Sequence, residues 1–252
     1  MAQGLYHQRP VTLDQLEPGQ LPPQQAARLL LETARTGEPE AQALLGQILL
    51  DGYGIQKDTR LAFQWFCIAA AQGHPMACNM VGRCLEHGWG CTVNVVTAAS
   101  YYERASHLGL DWGMYNLANL LATGQIGPTD EAAAFHLYQQ AAELGHAKSM
   151  NLVGRYLEEG RVGPADTQAA FQWYLRSAQA GDFRGQFSLA TVLASQEQWS
   201  QARYWLLQAL HRGHLKFLRK ARDELAQAAP PALTDIIQAY AQRCQALESI
   251  SA

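Results

Sequence analysis

The sequence has no long apolar run and little charge of either sign. No stretch approaches the roughly 18 consecutive apolar residues of a membrane-spanning helix, and the first ten residues lack the apolar core of a secretory leader. Charged residues make up 16% of the chain, with 19 Lys and Arg against 22 Asp and Glu and no long single-sign run. We therefore expect a cytoplasmic protein with no membrane partner and no nucleic-acid partner.

One basic stretch tests that expectation. Residues 211–222 carry most of their charge as Arg, Lys and His, and an aromatic residue among cations could stack on nucleic-acid bases. Asp223 and Glu224 follow directly, so we interpret the stretch as a solvated helix face, with a site for an acidic partner as the alternative.

Cysteine is scarce and catalytic motifs are missing. The five cysteines, Cys67, Cys78, Cys84, Cys91 and Cys244, form no CxxC pair and have no matching histidine set, which argues against a disulfide framework or structural zinc. We interpret Cys84 and Cys91 as small core residues. No P-loop, HExxH, GxSxG or helically spaced carboxylate pair is present. We predict no catalytic residue, no metal site, no cofactor and no enzymatic activity.

A glycine series shows that the chain is repetitive. Gly37, Gly73, Gly109, Gly145 and Gly181 are each 36 residues apart, and the same step links Ala62 to Ala170 and Gly52 to Gly160 through their intermediate copies. A fifth copy follows after 32 residues, with a shorter loop between its helices. His74, His146 and His214 follow closing glycines, so we interpret them as part of the repeat rather than as metal ligands.

Each repeat is predicted to contain two helices. In the first repeat, apolar residues recur three and four apart over roughly residues 39 to 50, and Gly52 then ends that helix where positive φ suits glycine. Asp58 is placed to cap the second helix, whose buried stripe begins at Ala62 and ends at Ala70.

Small residues in the first helix face large residues in the second. Gly46, Gly82, Ala118, Gly154 and Ala190 form the small column, and the facing pairs are Trp65-Phe66, Tyr101-Tyr102, Leu137-Tyr138 and Trp173-Tyr174. Mid-helix glycine costs about 1 kcal/mol relative to alanine, so close approach of the two helices must offset it. On this register, Trp173→Ala is predicted to cost roughly 3 to 5 kcal/mol.

These columns resemble the Sel-1-like repeat family, a longer-looped relative of the tetratricopeptide repeat. The resemblance is best in residues 41–46, 52–58, 62–66 and 69–73, and it covers roughly residues 24 to 214. Leucine replaces the family's tyrosine column, and the fifth repeat lacks the capping aspartate. The resemblance implies an all-α fold, a right-handed α-solenoid (superhelix) of antiparallel helix pairs, and a role as an adaptor in bacterial-type cytoplasmic complexes.

The repeats divide the chain into three predicted regions. Residues 1–21 form an extended N-terminal arm, and residues 214–252 form two capping helices, since a terminal repeat lacks a neighbour on one side. The repeat region between them consists of a half repeat and five repeats: 22–37, 38–73, 74–109, 110–145, 146–181 and 182–213.

The resemblance also implies where a partner binds. In tetratricopeptide-like arrangements the first helix of each repeat lines a concave groove that holds peptides. Two polar columns one turn apart follow this face, and asparagine and arginine suit peptide amides and carboxylates. We predict that a partner peptide or loop contacts Asn79, Arg83, Tyr115, Asn119, Asn151 and Arg155. Glu86, His87, Glu158 and Glu159 extend the same ridge, and a hydrated helix face is the alternative.

Three functions stay open at this point. The leading one is a scaffold that binds a protein or peptide partner as a monomer or weak dimer. The second is a structural module that associates with itself through its exposed ends. The third is β-lactam binding or hydrolysis, linked to some secreted relatives, whose leader and cysteine pairing this sequence lacks.

Overall fold

The computed structural model describes residues 22–228 and 230–251, and this part of the chain is helical with no β-strand. The predicted N-terminal arm, residues 1–21, lies outside the described residues. A short 3-10 segment, Pro231–Leu233, precedes the last helix. In chain order the α-helices are α1 Pro23–Arg35, α2 Pro39–Asp51, α3 Thr59–Ala71, α4 Pro75–His87, α5 Val95–His107, α6 Asp111–Ala122, α7 Glu131–Glu143, α8 Ala147–Glu159, α9 Thr167–Gln179, α10 Phe183–Ser195, α11 Trp199–Arg212, α12 Leu215–Ala228 and α13 Thr234–Ser251.

The chain divides into two compact units between Thr129 and Asp130. The N-terminal unit contains α1 to α6, each packed against the next, and the C-terminal unit contains α7 to α13. Short connections make the packed neighbours antiparallel. The division falls in the loop of the third repeat. The prediction of an all-α fold built from helix pairs is confirmed.

The N-terminus of the second helix is capped in the same way in successive repeats. The side chain of Asp58 accepts a hydrogen bond from the Leu61 N–H at 2.9 Å, and the loop residues Asn94, Asp130 and Asp166 cap their helices in the same way. Gln198, which takes this place in the fifth repeat, makes no side-chain cap. The predicted capping by loop residues, and its loss in the fifth repeat, are confirmed.

The histidine column is a set of helix caps. Nδ1 of His74 accepts the Ala77 N–H at 3.1 Å, and Nδ1 of His214 accepts the Phe217 N–H at 3.2 Å. Asp182, in the same column, caps α10 through its carboxylate. A cap through Nδ1 requires that this nitrogen carry no proton, so these caps depend on neutral histidine.

Small residues and large rings fit together as predicted, but only one ring of each pair is buried. An ideal Cβ atom added to Gly82 would lie 2.6 Å from the Tyr102 ring, which explains the glycine. Phe66, Tyr102, Tyr138 and Tyr174 are at most 2% exposed, whereas the preceding Trp65, Tyr101, Leu137 and Trp173 are only half-buried.

This difference corrects the prediction for Trp173. Consecutive helical residues point about 100° apart, so two neighbours cannot both face the same partner helix. The Trp173 ring instead lies under the Arg176 guanidinium, 4.1 Å from its carbon. The large truncation cost therefore applies to Tyr174, which is 1% exposed.

Each unit has its own apolar core. In the N-terminal unit Phe66 and Leu45 are central, and Cys78 and Cys84 are fully buried among them. In the C-terminal unit, Leu218 and Tyr240 from the C-terminal helices join Leu206 in one cluster. The predicted capping helices are therefore built into a core.

Candidate functional site

The two predicted polar columns differ in accessibility. In the column that contains Asn79 and Asn151, these side chains are 2% and 4% exposed, so they lie under the surface. Tyr115, in the same column, is half-buried. The other column is accessible: Arg83, Asn119 and Arg155 are partly exposed and Thr191 is exposed. The residues that a partner reaches first therefore belong to the second column.

In the N-terminal unit, the buried column links neighbouring helices. The side-chain amide of Asn116 on α6 donates a hydrogen bond to Oδ1 of Asn79 on α4, at 2.8 Å. This bond satisfies an acceptor that would otherwise be buried without a donor. Asn79 thus has a structural role that its position in the sequence did not show, because the partner comes from another repeat.

Aromatic side chains accompany the accessible cations of this unit. The Arg83 guanidinium lies over the Trp89 ring, 4.9 Å from its centroid, and the Tyr115 ring meets the Trp112 ring edge to face at 6.1 Å. Such rings offer flat apolar contact area beside charged and polar groups. The N-terminal unit therefore presents Arg83, Tyr115 and Asn119 on a surface with both apolar and polar character.

In the C-terminal unit, both predicted columns line one pocket. This pocket has a volume of about 350 Å³ and lies among α8, α10 and α12. Asn151 and Arg155 from α8 meet Phe187 and Thr191 from α10, which are the equivalent residues one repeat later. The structure therefore brings two of the six predicted site residues together, along with their successors in the same columns.

The charges around this pocket are balanced locally. Arg155 forms an ion pair with Glu159 at 3.3 Å, and Lys220 forms one with Glu224 at 3.4 Å. Exposed pairs of this kind are weak, at roughly 0.2 to 1 kcal/mol, so a ligand can exchange them. The guanidinium of Arg184 lies over the Phe183 ring at 4.5 Å. The rim carries both positive and negative side chains, so it does not strongly favour a ligand of either charge.

The acidic ridge has a structural role that sequence reasoning missed. The Tyr102 hydroxyl donates to Glu86 and the Tyr174 hydroxyl donates to Glu158, each at 2.6 Å. Burial and then the bond to the carboxylate raise the pKa of each tyrosine above its usual range, so both phenols stay protonated donors. A signal existed in the sequence, because each tyrosine follows its glutamate by 16 residues in both repeats.

The basic stretch is paired with neighbouring groups. Arg219 contacts Glu248 at 2.8 Å, Arg222 contacts Asp223 at 2.8 Å, and Arg212 donates to the carbonyl of Gly181 at 3.2 Å. This arrangement supports the interpretation of the stretch as a helix face.

Within residues 22–228 and 230–251, no group of three or more His, Cys, Asp or Glu side chains is arranged to hold a metal ion. The helices described there are too short or too polar to cross a bilayer.

Comparison with known families gives a specific match. The Sel1 repeat model matches residues 39–74, 75–110, 113–146, 147–182 and 200–214, in close agreement with the period found in the sequence. Proteins built from Sel1 repeats generally act as non-enzymatic scaffolds for protein interactions. No curated protein matches the chain.

Solved structures share the fold. A Sel1 repeat protein from Oxalobacter formigenes is 23% identical, covers 92% of this chain and 94% of its own, and superposes with a TM-score of 0.78. A putative Sel1 repeat protein from Klebsiella pneumoniae subsp. pneumoniae is 22% identical over 81% of this chain and 99% of its own, with a TM-score of 0.52. The immunity protein PA5088 from Pseudomonas aeruginosa is 15% identical over 97% and 89%, with a TM-score of 0.56. These similarities establish an α-solenoid fold.

Proposed function

Because this chain belongs to the Sel1 repeat family, we propose that it is a cytoplasmic, non-enzymatic scaffold that binds a peptide or loop of a partner protein along the first helices of its repeats. The partner contacts one stretch in each unit. The contact residues are Asn79, Arg83, Tyr115 and Asn119 in the N-terminal unit and Asn151 and Arg155 in the C-terminal unit.

The pocket among α8, α10 and α12 is the observation that carries this proposal. A hydrated helix face would leave the two polar columns on a convex, evenly solvated surface. Instead, Asn151, Arg155, Phe187 and Thr191 line one concavity of about 350 Å³. Concave surfaces with a few polar groups among apolar ones are typical of binding sites.

The six residues have different roles in this proposal. Arg83 and Arg155 are accessible and can bind carboxylate or carbonyl oxygens of the partner directly. Tyr115 and Asn119 add an amphipathic ring and an amide. Asn79 and Asn151 are mostly buried and offer amide groups at the base of this surface. Loss of the two arginines should therefore weaken binding without disturbing either core.

The experiment compares two double variants that remove the same charge. Arg83→Ala/Arg155→Ala changes the first helices of two repeats, and Arg104→Ala/Arg176→Ala changes the second helices of the same two repeats, at the same spacing of 72 residues. Each tagged full chain is expressed in the native host, and the bound proteins are quantified by mass spectrometry.

We expect a partner that is recovered with the wild-type chain and with Arg104→Ala/Arg176→Ala, and that is lost with Arg83→Ala/Arg155→Ala. Circular dichroism melting of all three proteins shows whether the fold is kept. Equal recovery of every protein by both double variants would contradict the proposal.

A further inference from the structure

The two buried asparagines occupy equivalent positions but have different surroundings. Asn79 and Asn151 are 72 residues apart, which is two repeats, and the residue that pairs with Asn79 is Asn116. The position equivalent to Asn116 in the C-terminal unit is Ser188, whose side chain is shorter. Within the described residues, Oδ1 of Asn151 has no hydrogen-bond partner, and Ser188 lines the pocket instead.

A buried acceptor without a protein donor can accept a hydrogen bond from a ligand. Asn151 is 4% exposed and borders the pocket, and rotation about χ2, a soft torsion, can present its amide oxygen to that space. A buried amide that lacks a partner is costly, so a ligand that brings an N–H group to this point gains the hydrogen bond that Asn116 provides to Asn79.

An apolar pocket adjoins this point. It has a volume of about 280 Å³ and is lined almost wholly by carbon, including Ala194, Trp199 and Leu225. Phe187, Thr191 and Glu224 border both pockets, so the two are adjacent along α10 and α12. An apolar cavity of about 150 Å³ is large enough to hold benzene, so this one accommodates a large aliphatic or aromatic side chain.

The adjacency and charge of the two pockets favour an extended, uncharged peptide segment. Phe187, Thr191 and Glu224 line both pockets, so the pockets are separated by no more than these shared side chains. An extended chain advances roughly 3.3 Å per residue, so a backbone N–H in one pocket and a side chain in the other can belong to neighbouring residues. Equal numbers of basic and acidic side chains line the pocket beside Asn151, namely Arg155, Arg184 and Lys220 with Glu158, Glu159 and Glu224. A segment without net charge therefore matches this lining, and Arg155 can still bind its carbonyl oxygens.

We infer that the C-terminal unit holds a two-part recognition site for such a segment: an N–H group donates a hydrogen bond to the Asn151 amide, and a neighbouring apolar side chain fills the pocket beside Ala194 and Trp199. The inference rests on the proposed binding function and names what this unit recognises. It concerns the C-terminal unit alone.

The probe is N-acetyl-leucine N-methylamide, which carries one apolar side chain between two N–H groups. It is titrated into the isotope-labelled full-length chain and followed by NMR. For a ligand of this size we expect a dissociation constant in the millimolar range and saturable shifts at Asn151 and Ala194. N-acetylglycine N-methylamide, which lacks the side chain, should bind at least tenfold more weakly.

Two variants test the two parts separately. Ser188→Asn restores the pair seen at Asn79 and Asn116, so it should raise the melting temperature while weakening the probe at least tenfold, a combination that misfolding cannot produce. Ala194→Phe fills the apolar pocket and should remove the preference for the leucine probe over the glycine probe.

The inference is overturned if the wild-type chain shows no saturable shifts, or if both variants bind the leucine probe as the wild-type chain does. These results need no cellular partner. If the probe does not bind but a partner is recovered in an arginine-dependent way, the two-part site is wrong and the scaffold function stands. If the probe binds but no arginine-dependent partner is recovered, the scaffold function alone is wrong.

Discussion

The contact between Gly154 and Tyr174 yields a prediction that can be worked out in detail. An ideal Cβ atom on Gly154 would lie 2.6 Å from the Tyr174 ring and 3.2 Å from the Ala170 carbonyl oxygen. The ring is 1% exposed and cannot move aside freely. Gly154→Ala should gain about 1 kcal/mol of helix propensity and lose more through overpacking, which typically costs 1 to 3 kcal/mol.

The net expectation for Gly154→Ala is a loss of up to about 2 kcal/mol, or up to roughly 8 °C in melting temperature for a chain of this size. The fifth repeat supplies the compensating change, because it has Ala190 and Leu206 at the equivalent positions, and both are buried in one cluster. The double variant Gly154→Ala/Tyr174→Leu should therefore lose less unfolding free energy than the sum of the losses of the two single variants.

The assay is urea unfolding of the wild-type chain, both single variants and the double variant, analysed as a double-mutant cycle. Residues in direct contact typically show a coupling of 0.5 to 3 kcal/mol, and we expect about 1 kcal/mol or more in favour of the double variant. A neutral or stabilising Gly154→Ala would refute the reasoning, and so would strict additivity.

Three further outcomes follow from single contacts. Tyr174→Phe removes the hydroxyl that donates to Glu158 and keeps the ring, so the free energy of unfolding in urea should fall by about 1 to 2 kcal/mol. An unchanged free energy of unfolding would mean that this hydrogen bond does not stabilise the fold. Burial and the nearby Arg184 charge lower the pKa of His214 from 6.5, so the unfolded chain binds the proton more readily and stability falls as pH drops below about 6.5; His214→Asn should flatten that slope between pH 7 and 5. Burial raises the pKa of the Cys84 thiol to about 12, and this side chain is fully buried, so iodoacetamide should leave it unmodified in the native chain at pH 8 while modifying it in urea, as mass spectrometry can show.

The repeat architecture was predictable because its signals are local. A helix that ends at Gly52 and a helix that is capped by Asp58 depend on a few neighbouring residues, and both features are found in the structure. The sequence also predicts two capping helices in residues 214–252, and α12 and α13 lie there. Periodicity and turn chemistry were sufficient for these elements.

The site was less predictable because it depends on contacts between repeats. Trp173 and Tyr174 are adjacent and similar in size, and only the packed geometry decides which one is buried. Asn79 and Asn151 are polar, as residues of a binding surface would be, yet both side chains are buried. The pocket is lined by Ser188, where the N-terminal unit has the longer Asn116, and by α12, which lies outside the 36-residue period, so no single repeat contains that information.

Site-specific photo-cross-linking in living host cells tests the central claim most directly. A photoreactive phenylalanine analogue is placed at Thr191, exposed on α10 beside the pocket, or at Arg176, exposed on α9. We expect a cross-link from position 191 to a segment of another protein and none from position 176. Cross-links from position 176 alone, or equal cross-linking from both positions, would contradict it.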